Sequence, residues 1–431
     1  MDSLSTENAV TTRTQPDDTP SVSDTVDSTG QSAPAESRQD QLKAARAKWF
    51  NAFKNVLPIY ISIHLAFFVI TCLTALFVIP DFSWKALPID TLWQSWYRWD
   101  SVHFSYLATH GYTDWWRTAF FPLFPLLERY LAVLTGDPFI AGLIISNVAG
   151  LGMLVVLYRL VEEDFDSERA YRTALYLSVF PAAFFFAAAY TESLFLLFAL
   201  LGFYYMRQGN WWLAGACGFF ATLTRSTGLL LLVPFCYEYL HQHQFKLRTL
   251  RFDVFGGAII VAGLGLFMLY CYHRFHRFFP FSKAEHFMWS RDPQSPLFLI
   301  KNVIAGIAQS NGILSFHALR NIIDASQILL ILALIILSVV GPWRFPRSLW
   351  VYAIYGIVLF VVLQINPVEI NPIRGPFPLQ SFPRYMLEVF PAFIVLAALG
   401  KYRTVHLSYL MVSGVVLFVL LSLFLTGHWV V

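Results

Sequence analysis

Long apolar runs, almost free of charge, recur along the chain from Val56 onward. A helix that crosses a bilayer needs about 20 such residues. Six runs are long enough: 56–79, 138–160, 254–272, 321–340, 348–366 and 405–428. Five are shorter: 172–189, 193–206, 211–224, 226–239 and 385–399. The pair 193–206 and 211–224 reads either as two short spans or as a re-entrant hairpin, and the topology on either side is the same. Only 13% of the 431 residues are charged, against about a quarter in soluble proteins. Such a chain is not a soluble enzyme, a nucleic-acid binder or a disordered scaffold. The expected fold class is all-α, a polytopic integral membrane protein.

Residues 1–42 are of another kind, rich in Ser, Thr, Asp, Gln and Pro. The first 40 hold eight acidic residues against two basic ones, leaving 28 basic and 19 acidic residues for the rest. A segment with so few large apolar residues does not bury enough surface to offset its ordering entropy. It is expected to be a disordered acidic tail, and it lacks the apolar core of a signal peptide. Residues 43–431 then form one transmembrane domain. The four cysteines, Cys72, Cys217, Cys236 and Cys271, lie in apolar runs without metal-ligand spacing and read as small core residues.

Orientation turns on the run 115–134, which holds Pro122, Pro125 and a Glu128–Arg129 pair. The positive-inside rule arbitrates. Lys43, Arg46, Lys48 and Lys54 place the N-terminus in the cytoplasm. If 115–134 only dips into the outer leaflet, Arg159, Arg169, Arg172, Arg207, Lys246, Arg248, Arg251, Arg344, Arg347, Lys401 and Arg403 are cytoplasmic as well. If it spans, nearly all of them face outward. The first reading gives about eleven spans, interfacial helices after the first, and a C-terminus on the outer side. The membrane is the plasma membrane in a prokaryote and the endoplasmic reticulum in a eukaryote.

A few charges on that outer side have no topogenic role. Asp100, in the aromatic segment Trp96–Phe104, is placed to act as a general base; the plain alternative is an interfacial acid beside an aromatic belt. Glu192 and Arg225 each sit between two apolar runs. Ionisable groups at such depth are costly and point to function, although a structural Glu–Arg pair accounts for them too. Arg384 carries a guanidinium suited to a phosphate, or it snorkels from a helix end. The loop 283–296, with Glu285, His286, Trp289, Arg291 and Asp292, reads as a lid or acceptor site, or simply as an exposed loop. His103 and His110 lack a third ligand at fixed spacing, so no metal site is expected and no cofactor is implied. No nucleotide-binding loop occurs. An enzyme of this kind needs a substrate already activated on a lipid. Its outward arginines hold the lipid phosphate while the acid deprotonates an incoming hydroxyl.

The motifs also resemble a family. Trp99-Asp100 with His103, His110-Gly111-Tyr112 and Phe120–Pro125 resemble the opening of the second mannosyltransferase family of GPI-anchor assembly, the PIG-V-like family. Ser146-Asn147, Ala187–Ser193, Ala221–Ser226, Trp289-x-Arg291, Arg384-Tyr385 and Phe390-Pro391 follow in the family's order. The resemblance runs from about Trp96 to Pro391 and leaves the acidic tail outside. It implies a GT-C type glycosyltransferase with its active site on the non-cytoplasmic face, using a polyprenyl (dolichyl) phosphate mannose donor. In the eukaryotic family the product is an α-1,6 linkage on a GPI precursor; in a prokaryote the acceptor is another lipid-linked glycan or a protein. The family's acid after the first span carries over to Asp100 as base. Charge and topology assign the donor phosphate to Arg225 and Arg384, and the residues of the resembling motifs, Trp99, His103, Glu192, Trp289 and Arg291, are expected to contact substrate. Segments 101–110 and 115–134 are expected to line the groove of the donor lipid. The alternatives are a GT-C enzyme using another polyprenyl-phosphate sugar, a structural partner protein, and a lipid-linked sugar flippase or transporter; transporters commonly carry internal repeats and broken helices near the midplane, and the two halves of this chain show no convincing self-similarity.

Overall fold

The computed structural model describes residues 38–77, 89–289, 291, 294–310, 312–365 and 377–428. The expected disordered tail lies almost wholly outside them. The chain divides into Met1–Ala45 and Arg46–Val431, and nearly all of the described residues belong to the second unit. Its regular structure is helical. The α-helices are, in order, α1 (Arg38–Phe77), α2 (Ile89–Gln94), α3 (Asp100–His110), α4 (Leu123–Thr135), α5 (Pro138–Asp164), α6 (Ser167–Val179), α7 (Glu192–Arg207), α8 (Trp211–Thr224) and α9 (Leu232–Gln242). They continue as α10 (Gly256–Phe275), α11 (Pro280–Trp289), α12 (Pro296–Ala308), α13 (Phe316–Val339), α14 (Trp350–Ile365), α15 (Phe382–Tyr385), α16 (Phe390–Leu399) and α17 (Arg403–Leu425).

Among the described residues, six helical stretches are long and apolar enough to cross a membrane: Leu42–Phe77, Pro138–Asp164, Phe252–Phe275, Phe316–Val339, Arg347–Ile365 and Arg403–Leu425. They match the six long runs of the sequence, and the chain is a multi-pass membrane protein. Ile61, Leu65 and Phe68 of α1 and Met411, Val412 and Val415 of α17 are exposed. In water such faces would be interaction or aggregation patches; in a bilayer they meet lipid.

The shorter runs are less regular. The run 172–189 is not one helix, because α6 stops at Val179. Pro181 follows directly after Phe180, and the residue before a proline is pushed out of the α region. Buried turns from Phe180 to Tyr190 complete the passage. The run 385–399 also breaks: Phe382–Glu388 and Phe390–Leu399 meet at 78°. Pro391, in the first turn of α16, has no N–H to continue the preceding helix. α16 itself is buried on all sides from Phe390 to Ala398, as a helix at the centre of a bundle must be.

Cross-helix contacts give each helix a direction. At one end of the bundle, Asp164 closes α5 and takes Arg207 from the end of α7 through Nη2 at 2.9 Å. Arg207 also bonds Glu238 of α9 at 2.8 Å and the carbonyl of Ser348 before α14 at 3.3 Å, and Tyr352 of α14 donates to Asp164. At the other end lie the first residues of α3 and α7 and the last of α8. Ser146 of α5 bonds the carbonyl of Tyr190 there at 2.9 Å, and Arg98 bonds the carbonyl of Leu425 from α17 at 3.3 Å. Helices α5, α7 and α9 thus run away from Asp100, and α8, α14 and α17 run toward it.

Helices α8 and α10 pack closely. A Cβ on Gly215 would stand 2.2 Å from the carbonyl oxygen of Gly256, and one on Gly218 would stand 2.6 Å from Ile260. Small residues let membrane helices approach in this way. Gly215→Ala is therefore expected to destabilise the protein by about 1–3 kcal/mol, seen as earlier thermal unfolding in detergent. An unchanged melt would contradict this packing.

Candidate active site

Asp100 is the first residue of α3, and the chain before it is bent to aim it inward. Trp99 has φ 54° and ψ −114°, a positive φ that costs a bulky residue about 1–3 kcal/mol. Hydrogen bonds hold the bend. Ser101 Oγ donates to the carbonyl of Arg98 at 2.8 Å, as does Tyr190 Oη at 3.1 Å, and Tyr190 Oη accepts from the Asp100 N–H at 3.3 Å. A second non-glycine positive φ, 68° at Ser381, opens α15 three residues before Arg384.

The two strained turns bring their charges together. Arg384 Nη1 donates to Asp100 Oδ2 at 2.6 Å, across 284 residues of sequence. Its Nε lies 3.1 Å from Glu192 Oε1, and that oxygen accepts from Arg225 Nη1 at 2.6 Å. Arg225 Nη1 also donates to Thr191 Oγ1 at 3.1 Å, while its Nε lies 3.0 Å from Glu388 Oε1. Glu388 Oε2 accepts from Thr227 Oγ1 at 3.2 Å. The result is an alternating chain, Asp100–Arg384–Glu192–Arg225–Glu388. The turn after α8 is built for it: Gly228 N–H donates to the Arg225 carbonyl at 3.0 Å, and a Cβ there would stand 2.4 Å from the Thr222 nitrogen.

Glu192 and Glu388 are each 1% exposed at the side chain, Asp100 14%. The network is thus anchored on two buried carboxylates and opens toward Asp100. Arg291 joins from the late loop: Nη1 donates to Tyr385 Oη at 2.9 Å, Nη2 donates to the Gln380 carbonyl at 3.2 Å, and Glu285 Oε2 is 3.7 Å away. The ring of Tyr385 lies 5.0–5.2 Å from the guanidinium carbons of Arg225, Arg291 and Arg384. Two cavities meet here. One of about 80 Å³ is lined by Asp100, Arg384, Arg225 and Tyr385. One of about 270 Å³ is lined by Arg225, Arg291, Ser226, Thr227 and Ser282. Beside them, an apolar groove of about 470 Å³ is lined by Leu107 of α3, Leu123 and Leu126 of α4 and Phe267 and Tyr270 of α10.

Six residues singled out in the sequence therefore share one network: Asp100, Glu192, Arg225, Glu285, Arg291 and Arg384. Each of the two arginines assigned to the donor phosphate is bonded to carboxylates. His103 stands apart, with Nδ1 3.2 Å from Arg117 Nη1 and its ring stacked on Phe120. Burial lowers its pKa below the usual imidazole value; the charge of Asp100 opposes that shift and Arg117 adds to it. A neutral ring is the acceptor that Arg117 requires. Trp99 packs against the main core. Trp289 ends α11, its side chain outside the described residues, as is Asp292. No group of three or more His, Cys, Asp or Glu side chains able to hold a metal occurs among the described residues.

The sequence reading missed Glu388, which lies in the run 385–399. A carboxylate inside an apolar run is the same signal that marked Glu192.

The sequence profile of the family described as Mannosyltransferase (PIG-V) matches residues 72–359, two thirds of the chain. The chain belongs to the mannosyltransferase (PIG-V) family. Within this family match lie Asp100, Glu192, Arg225 and Arg291, while Arg384, Tyr385 and Glu388 lie beyond it. The GPI mannosyltransferase 2 of Yarrowia lipolytica is 34% identical over 145 residues, 32% of this chain and 39% of that protein. The GPI alpha-1,6-mannosyltransferase 2 of Homo sapiens is 31% identical over 144 residues, 31% of this chain and 29% of that protein. The chain spans about a third of the length of the curated relatives it matches. Among solved structures, ArnT from Cupriavidus metallidurans, bound to undecaprenyl phosphate, aligns at 18% identity and a TM-score of 0.47, covering 80% of this chain and 59% of that one.

Proposed function

We propose that this PIG-V family member is a GT-C type mannosyltransferase that moves mannose from a polyprenyl phosphate mannose donor to a hydroxyl of a lipid-linked glycan. The observation that carries the reading is the buried chain of alternating charges set between a polar cavity and an apolar groove. The Asp100 carboxylate takes the proton of the acceptor hydroxyl. The oxygen attacks the anomeric carbon, the bond from that carbon to the phosphate oxygen breaks, and the polyprenyl phosphate leaves with the electron pair. Guanidinium groups placed where that negative charge grows are the largest source of rate in such a displacement.

Arg225 and Arg291 face the larger cavity with the hydroxyls of Ser226, Thr227 and Ser282, a setting that suits a phosphate. Arg384 then has two roles, orienting Asp100 and meeting the phosphate as it departs. Glu192 and Glu388 hold the two arginines in register. The apolar groove along α3 and α4 takes the first isoprene units. About eleven spans are part of the same proposal. The directions of α5, α7, α8 and α9 favour that count, with the N-terminus in the cytoplasm, the Asp100 end on the non-cytoplasmic face, and the shorter helices counted as passages.

Arg291→Gln is expected to raise the KM for the donor about tenfold, the worth of one charged hydrogen bond, with a smaller change in kcat. An unchanged donor KM would remove Arg291 from the phosphate site. The reading as a whole is tested with synthetic polyprenyl phosphate mannose in purified membranes. Labelled mannose should appear in a new glycosidic product. Labelled lipid that crosses the bilayer with no new bond would show a transporter instead.

A further inference from the structure

We propose that a second polar cavity, at the end of the bundle away from Asp100, binds the phosphate-bearing headgroup of an anionic membrane lipid. The cavity holds about 920 Å³ between α1, α5, α6 and α17. Lys54, Arg172, Lys401, Arg403 and His406 line it, against the acids Glu162 and Glu168. Both acids have a partner: Glu168 pairs with Arg172, and Glu162 shares the buried Arg159 with Glu163. Lys54, Lys401 and Arg403 have no carboxylate within ion-pair distance among the described residues. The lining therefore carries a net excess of two positive charges, with its unpaired cations on α1 (Lys54) and on the start of α17 and the turn before it (Arg403, Lys401).

Its walls are tied together without any ligand. Asn55 Nδ2 of α1 donates to Tyr158 Oη of α5 at 2.8 Å. Tyr176 Oη of α6 pairs with His406 Nδ1 of α17 at 2.8 Å, and Tyr409 Oη donates to the Tyr176 carbonyl at 2.8 Å. From Ser146, at the level of the candidate active site, to Tyr158 is twelve residues of α5, or about 18 Å. This is a separate place on the molecule, and its occupant does not depend on the reading of the active site.

Charges that serve orientation alone need only lie in loops. Here Lys54 projects from within α1 and Arg403 opens α17, and they converge with Lys401 on one open cleft. Basic pockets between membrane helices take anionic headgroups. The surroundings favour a lipid over a free anion: Phe50 and Phe53 on α1, Tyr171 on α6 and Leu407 on α17 are exposed apolar surface within a turn of the lining residues, where acyl chains lie.

The test uses the purified full chain in detergent, with dioctanoyl phosphatidic acid, dioctanoyl phosphatidylcholine and inorganic phosphate as probes, and binding read by native mass spectrometry. The acidic lipid is expected to bind at least tenfold tighter than the other two. At about 1 kcal/mol per cation near a charged headgroup, Lys401→Gln with Arg403→Gln weakens it about thirtyfold. Lys246→Gln with Arg248→Gln, which removes two exposed charges at the same end outside the cavity, leaves binding unchanged. A melting temperature equal to wild type verifies that each variant is folded, and the single variant Lys54→Gln replaces the pair if it is not. Equal binding of phosphatidylcholine, phosphate binding as tight as lipid, or equal loss in the control pair would each overturn the proposal.

Discussion

Asp100→Asn is expected to slow mannosyl transfer by about 10²- to 10⁴-fold, the usual range for loss of a general base, with the protein still folded. The asparagine has the same shape, and its amide oxygen still accepts from Arg384, whose Nη1 lies 2.6 Å from the present carboxylate. What it loses is the ability to take a proton. The measurement is the single-turnover rate of purified protein with excess donor, beside a thermal melt. Because Asp100 is more open than Glu192 and Glu388, its neutralisation leaves their buried ion pairs in place. A full rate in a folded variant would remove Asp100 from the chemistry and leave it as a partner for Arg384.

Glu192→Ala is expected to damage the fold rather than the chemistry alone. One oxygen of Glu192 faces both Arg225, at 2.6 Å, and Arg384, at 3.1 Å, and the side chain is 1% exposed. Removing it leaves two guanidinium groups without the charge between them, in a place where water does not replace it. Breaking a buried pair from one side costs about 3–5 kcal/mol, visible as a large fall in melting temperature and in yield. The pair Glu192→Ala and Arg225→Ala should not add, since the second change removes part of the charge that the first left stranded. Additive losses would mean that the two side chains do not act together.

Much of this architecture was readable from hydropathy. Six apolar runs became six long helices because a continuous apolar stretch has few other outcomes in lipid. Hydropathy did not show where short helices break. α6 ends before Pro181, and α16 turns sharply from the segment before it at Phe390-Pro391; both prolines were visible, but an apolar average is blind to them. At the site, depth singled out Glu192 and Arg225, and an outer-face position without topogenic role added Asp100 and Arg384; the four meet. The pairing was not legible, since residues 100 and 384 touch only through the tertiary fold. Glu388 was hidden for the opposite reason: one acid in a run of apolar residues barely moves the average. His103 lies one turn after Asp100 on α3, yet it turns to Arg117, a partner fourteen residues away across the aromatic turn.

The central claim is mannosyl transfer at the Asp100–Arg384–Glu192–Arg225–Glu388 network. The most direct measurement is the mass of the lipid-linked glycan pool in cells lacking this gene, complemented with wild type or with Asp100→Asn. The account predicts that a precursor one hexose lighter than the missing product accumulates in the deletion and in the Asp100→Asn strain, and that wild type clears it. An unchanged set of masses, or full clearance by Asp100→Asn, would contradict it.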